Sequence, residues 1–324
     1  MESSFTKDAF YEMVAGKIKE YLPETFQKAR ITVDKIYKPG NVRTGITVML
    51  PGESIAPVVY LDDAFQKYKS GQWTGSHVLW SAADDIVRLH QQMDRPIKNL
   101  MLFKDYGGCA AMIQPELLSK DQDPTFLKKY VYTYEQPDCI ASYTMQLNDH
   151  MKMRITNEIL VAWGISKETL RENAIKNIPD PIFQPFWRVL EEKFGIPSGM
   201  PENAGIDLYL LTNQTYLNGA AELMRPEVLE MVGKRFNGDY FVLPSSVHEV
   251  LCLQNDGNIS VEDLRNIVCE INGTQVEPEE RLSDAIGYYD RSSKKLYDVR
   301  TEKELKEFLV NPAVKKEQRK RNYR

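Results

Sequence analysis

The chain has 324 residues, 42% of them hydrophobic and 27% charged, which places it among ordinary soluble globular proteins and excludes a disordered or membrane-embedded chain. Its net charge is −5, yet the last ten residues, KKEQRKRNYR, hold six basic groups and one acid, so the body without them carries −10. An acidic body repels nucleic acid over most of its surface and leaves only the tail as an electrostatic footprint.

From the N-terminus, Phe10, Val14, Ile18 and Tyr21 recur at helical spacing, with Thr6 placed to cap and Pro23 to end the run. Ile31–Val33 and Ile46–Leu50 alternate on either side of KPGNVRTG and predict a hairpin; Val58–Leu61 adds a short strand, with Asp62 or Asp63 as cap of the helix that follows. Ser76–Met93 carries Leu79, Ala82, Ile86 and His90 on one face and predicts a long amphipathic helix. Leu100–Leu118 is apolar but broken by Gly107-Gly108 and Pro115, which suggests two short helices around a loop. Lys129–Tyr134 and Ile140–Leu147 predict a second hairpin about Gln136-Pro137-Asp138.

Helices dominate next: Thr156–Trp163, Ser166–Asn177 and Pro185–Phe194, then a loop over Gly195–Gly205 and a strand at Ile206–Leu210. Asn218 is expected to cap a helix that starts at Gly219-Ala220-Ala221, close to another backbone. Pro226 opens a further helix closed by Asn237-Gly238, and Tyr240–Leu243 and Val247–Leu253 read as strands about Pro244-Ser245-Ser246. Ser260 starts another helix, Ile286–Asp290 and Lys295–Val299 form a last hairpin, and Thr301–Glu304 is a capping box. The fold class is therefore α+β, antiparallel sheets with helices packed on them, in two lobes: residues 1–150 and 151–312, followed by a basic tail at 313–324 expected to be disordered.

Candidate chemistry is sparse. Ser245, Ser246, His248 and Glu249 place a nucleophile, a base and a carboxylate within five residues, the raw material of a hydrolase, but His248 and Glu249 alternate along a strand and face opposite ways, and two serines after a proline are more often turn residues that bond their own backbone. His248-Glu249 also begins like a zinc-protease motif, which fails because Cys252 stands where histidine is needed. His77, His90 and His150 have no partner at metal-ligand spacing, and Cys109, Cys139, Cys252 and Cys269 form no CxxC pair. Asn218-Gly219 after a strand has the local form of an anion-binding helix start, without GxGxxG or a Walker lysine, so no cofactor is expected. Lys315, Lys316, Arg319, Lys320 and Arg321 are the candidate nucleic-acid contacts. With no apolar run long enough to span a bilayer and no secretory leader, the expected compartment is the cytoplasm.

The segments LYLLTN (208–213), NGAAELM (218–224), GDYFVLPSSVHEVLCL (238–253) and EPEERLSDAIGYYD (277–290) together resemble a family known as domain of unknown function 5688. APVVYLDDAF (56–65) and RITNEILVAWGIS (154–166) are similar to the same family. The resemblance implies a cytoplasmic protein of Firmicutes or their phages, carried on mobile elements, and supplies no reaction, cofactor or catalytic residue. The function expected from residues and resemblance together is non-catalytic binding of a protein or small molecule, or regulation. The alternatives are a hydrolase at Ser245–Glu249 and nucleic-acid association through the tail.

Overall fold

Where apolar periodicity and cap residues coincide, the helices form as the sequence predicts. The structure, a computed structural model, describes residues 6–53, 55–93, 105–148, 151–195 and 208–310. The basic tail with Lys315, Lys316, Arg319, Lys320 and Arg321, together with His150 and most of the Gly195–Gly205 loop, lies outside them. The chain divides into two compact units, Met1–Cys109 and Ala110–Arg324. This division falls before residue 150, because the strands that precede 150 fold with the second unit.

In the first unit, α1 (Lys7–Lys17) is capped by the Thr6 hydroxyl, which accepts the Ala9 amide at 3.2 Å. The hairpin strands β1 (Arg30–Lys38) and β2 (Asn41–Met49) run antiparallel with Arg30 opposite Met49 and Lys38 opposite Asn41. They are longer than alternation alone suggested, because the polar pair Lys35 and Thr44 continues the ladder without an apolar signal. Strand β3 (Val58–Tyr60) joins β2 on its far side. Asp62 does not cap α2 (Asp62–Lys69); its carboxylate instead accepts from Lys7 Nζ at 2.8 Å, Tyr11 Oη at 3.2 Å and the Thr44 amide at 2.8 Å, drawn off by partners outside its own helix. Helix α3 (Gly75–Gln92) is capped by Thr74, and its inner face joins Phe10, Val14, Ile18, Ile46 and Leu61 in the core. His90 is packed in that core: Nε2 lies 2.8 Å from the Val48 carbonyl, and the ring meets Phe26 edge-on at 5.1 Å. The short α4 (Tyr106–Cys109) ends the unit.

The second unit opens with a correction, for Ile113–Ser119 is a strand, β4, and not a short helix. Pro115 is tolerated there because β4 pairs only with the later strand β6, leaving its other edge free of ladder bonds among the described residues. Helix α5 (Pro124–Lys129) follows, capped by Asp123. The predicted hairpin appears as β5 (Tyr132–Glu135) and β6 (Cys139–Asn148), with β7 (Met151–Arg154), which alternation did not reveal, also on β6. Helix α7 (Lys167–Lys176) carries the expected Ser166 cap, and α6 (Asn157–Trp163) is capped by Thr156.

The remaining strands build one six-stranded antiparallel sheet, in the order β13-β12-β10-β11-β9-β8. Edge strand β8 (Pro181–Pro185), unforeseen in the sequence, has a proline at each end, which blunts an otherwise open edge; α8 (Phe186–Phe194) follows it. Strand β9 (Leu208–Asn213) leads to a 3₁₀ turn at Gly219–Met224 and then α9 (Pro226–Phe236). Strands β10 (Tyr240–Leu243) and β11 (Val250–Gln254), helix α10 (Val261–Thr274), strands β12 (Ile286–Asp290) and β13 (Lys295–Val299), and α11 (Glu302–Val310) complete the fold. Strand alternation sorts the sheet into two faces. Phe241, Leu243, Leu253 and Tyr288 pack with Leu264 and Phe308 of α10 and α11. On the opposite alternation, Tyr240 stacks on Tyr289 at 4.8 Å and meets Phe236 of α9. No helix among the described residues is long and apolar enough to cross a membrane.

Candidate functional site

The turn after β10 brings the sequence candidates together, but as a backbone brace. Ser246, 6% exposed, donates its hydroxyl to Glu249 Oε1 at 3.1 Å and accepts the amides of His248 at 3.1 Å and Glu249 at 3.3 Å. Ser245 Oγ donates to the Glu249 carbonyl at 3.2 Å. Serines that bond their own turn in this way replace missing backbone partners and fix the chain's path. Histidine is turned elsewhere. Its Nδ1 accepts the Asn218 amide at 3.2 Å, and its Nε2 faces Glu280 Oε1 at 3.4 Å. A hydrolytic relay needs histidine between nucleophile and acid; here the serine reaches the acid directly, and the imidazole serves two other segments.

Asn218 and Gly219 complete the brace. Asn218 is not an N-cap: it adopts a left-handed φ of 54°, makes no side-chain capping bond, and precedes a 3₁₀ turn in place of the predicted helix. Its amide is consumed by His248, and the Ala220 amide by the Val247 carbonyl at 3.2 Å, so these donors do not face an anion. The predicted close approach at Gly219 is present: an added Cβ would collide with Thr212 Oγ1 and the His248 carbonyl and lie 2.9 Å from the Asn213 amide. Behind it, Glu222 is fully buried, with Oε2 at 3.4 Å from Arg225 Nη1 and Oε1 without a hydrogen-bond partner. Burial, reinforced by Glu227 and Asp180 against Arg225, pushes its carboxyl up to about 7.

The brace also anchors the wall of a cavity. The Val247 amide donates to the Glu280 carbonyl at 2.9 Å, and the residues directly after Glu280 line a cavity of about 550 Å³ within the second unit. Helix α10 supplies Arg265, Cys269, Asn272 and Gly273 to one side. The other walls are Arg281 with the segment that follows it, Lys120 after β4, Asp138 in the β5–β6 turn and Arg300 after β13. Asp138, with φ 46°, spans two cations, accepting Lys120 Nζ at 2.5 Å on one oxygen and Arg300 Nη2 at 2.8 Å on the other. Its amide donates to Asp298 Oδ1 at 2.8 Å. Desolvation and the neighbouring Asp138 raise the Asp298 carboxyl to about 7. Asn272, 4% exposed, donates Nδ2 to the Ser283 carbonyl and to Asp284 Oδ1, leaving its Oδ1 buried without a partner. Desolvation, and then Asp284, raise the Cys269 thiol, which makes it a poor nucleophile.

Apart from Cys269, noted only as a thiol without a CxxC partner, none of the cavity residues stands out in the sequence as a ligand contact. Lys120, Asp138, Arg265, Asn272, Arg281 and Arg300 lie on five separate segments, and Asp138 read only as a turn residue after Pro137.

Compared with known protein families, residues 7–291 match the family of unknown function DUF5688. Neither the curated proteins nor the solved structures contain a match.

Proposed function

The chain belongs to the family of unknown function DUF5688, and from that premise we propose that it is a non-catalytic binding protein whose second unit holds a small polar molecule beside α10. The cavity carries this reading: about 550 Å³ lies within the range of small-molecule sites, and its walls are polar groups from well-separated segments. Support also comes from the Ser245–Glu249 turn, where side chains that could serve catalysis are spent on backbone amides and on the segment walling the cavity. A reducing, cytoplasmic setting suits the four free thiols, three of them buried.

A thermal-shift screen of the full chain against neutral, cationic and anionic polar metabolites tests the proposal, with Gly273→Trp as the filled-cavity control. An added Cβ at Gly273 meets nothing within 4 Å, so the first atom of the side chain is accommodated on α10, and Gly273 lines the cavity. Compounds that raise the melting temperature of the native chain and not of Gly273→Trp are expected. No hit, or hits that the variant retains, would overturn the reading.

A further inference from the structure

We infer that the molecule bound in this cavity is a small anion carrying at least two negative charges, held by the guanidinium groups of Arg265 and Arg281. The inference rests on the binding reading and adds the ligand's chemical class. Four cationic side chains, Lys120, Arg265, Arg281 and Arg300, face three carboxylates around the cavity, an excess of positive charge in a chain whose net charge is −5. With the basic tail set aside the rest of the chain carries −10, so attraction for an anion at this site comes from these walls and not from the overall charge.

The excess is also unevenly committed. Both oxygens of Asp138 are engaged, one by Lys120 and one by Arg300, so two cations share a single carboxylate. Asp284 accepts Asn272 Nδ2. Arg281 is tethered through Nε to the Val276 carbonyl at 3.0 Å, which orients its two terminal nitrogens without neutralising them. Arg265 stands on the α10 face that also presents Cys269 and Asn272 at helical spacing. A planar guanidinium offers paired N–H donors that match the two-oxygen edge of a phosphate or carboxylate, geometry an ammonium lacks.

The test is calorimetric titration of the full chain with pyrophosphate and with citrate at low salt, beside Arg265→Gln, Arg281→Gln and Lys303→Gln. Lys303, on the exposed face of α11, controls for loss of one positive charge anywhere on the surface. Expected is saturable binding of at least one anion, weakened about tenfold or more by either arginine substitution, as loss of a charge-assisted pair implies, and unchanged by Lys303→Gln. Binding of pyrophosphate alone assigns a phosphate ligand; binding of citrate alone assigns a carboxylate. Arg265 is exposed, so its variant keeps the test valid even if Arg281→Gln fails to fold. Anion binding indifferent to Arg265→Gln would overturn the inference. So would a screen whose cavity-dependent hits are all neutral or cationic, although the binding reading would then survive; no hit of any charge removes both.

Discussion

The two units solve the same problem with different interiors. In the first, the buried polar side chains among the described residues are Thr44 and His90, whose Nδ1 lies 3.6 Å from the nearly buried Glu53 carboxylate, while the Lys7–Asp62 pair sits at the rim with Lys7 47% exposed. The second buries Glu116, Glu222, Asn272 and Asp290 among its apolar residues. A core with few buried polar groups tolerates small errors of packing by local collapse, whereas each further buried ion or amide must keep its partners or carry a desolvation cost. The second unit is therefore the one whose interior is exacting, and it is also the one with the polar cavity.

The sharpest way to break this contrast is at glycine. Gly219→Ala drives a methyl into the Thr212 hydroxyl and the His248 carbonyl, and backbone cannot step aside, so a loss of about 3 to 5 kcal/mol or failure to fold is expected. In the first unit, Gly45→Ala meets a side-chain methyl of Val58 and no backbone atom closer than 3.6 Å, and a smaller loss of about 1 to 3 kcal/mol follows. Urea denaturation of the two variants measures the difference; equal losses would dissolve the contrast.

Next comes charge removal. Glu116 accepts Arg154 at 2.5 Å and Lys152 at 3.2 Å while 6% exposed, so Glu116→Ala strands a largely buried guanidinium at a cost of about 3 kcal/mol. Lys7→Ala leaves Asp62 bonded to Tyr11 and the Thr44 amide and costs less than about 1 kcal/mol. Hydrogen exchange by mass spectrometry would place the first loss in residues 110–310 and the second in residues 6–93.

Within the second unit, the dependence on pH differs in sign between two buried acids. Burial alone would raise the Glu116 carboxyl, but Arg154 and Lys152 outweigh it and hold it at about 2, so its contribution is present above 4.5 and is lost as the pH falls toward 2. Glu222 is the reverse. With a folded value near 7 against 4.5, the folded state binds the extra proton between those values, and stability falls as pH rises through that window. Glu222→Gln should gain about 1 to 3 kcal/mol at pH 8 and almost nothing at pH 4. A stability difference independent of pH would show that Glu222 stays ionised in the fold.

Much of the secondary structure was legible because its signals are local. Thr6, Ser166 and Ser260 each accept a first-turn amide at the cap the sequence marks. The last hairpin, Ile286–Asp290 with Lys295–Val299, forms with the bounds that alternation marked. Strands β4 and β8 escaped because each contains proline, a breaker in isolation that an edge position accommodates. The Ser245–Glu249 cluster was visible as a set of residue types, yet its meaning turned on where the His248 ring points, which follows from Asn218 thirty residues earlier and Glu280 thirty-two residues later.

By itself, then, the sequence determined the α+β class, the positions of most helices and hairpins, and the crowding at Gly219, because period, caps and turn residues act over a few neighbouring positions. Only the tertiary structure decided that the His248 ring joins Asn218 to Glu280, that Glu116 and Glu222 are buried with opposite proton affinities, and that Arg265, Arg281 and Arg300 border one cavity. Burial and charge pairing depend on which distant segments meet, and that distance is not written in any local pattern.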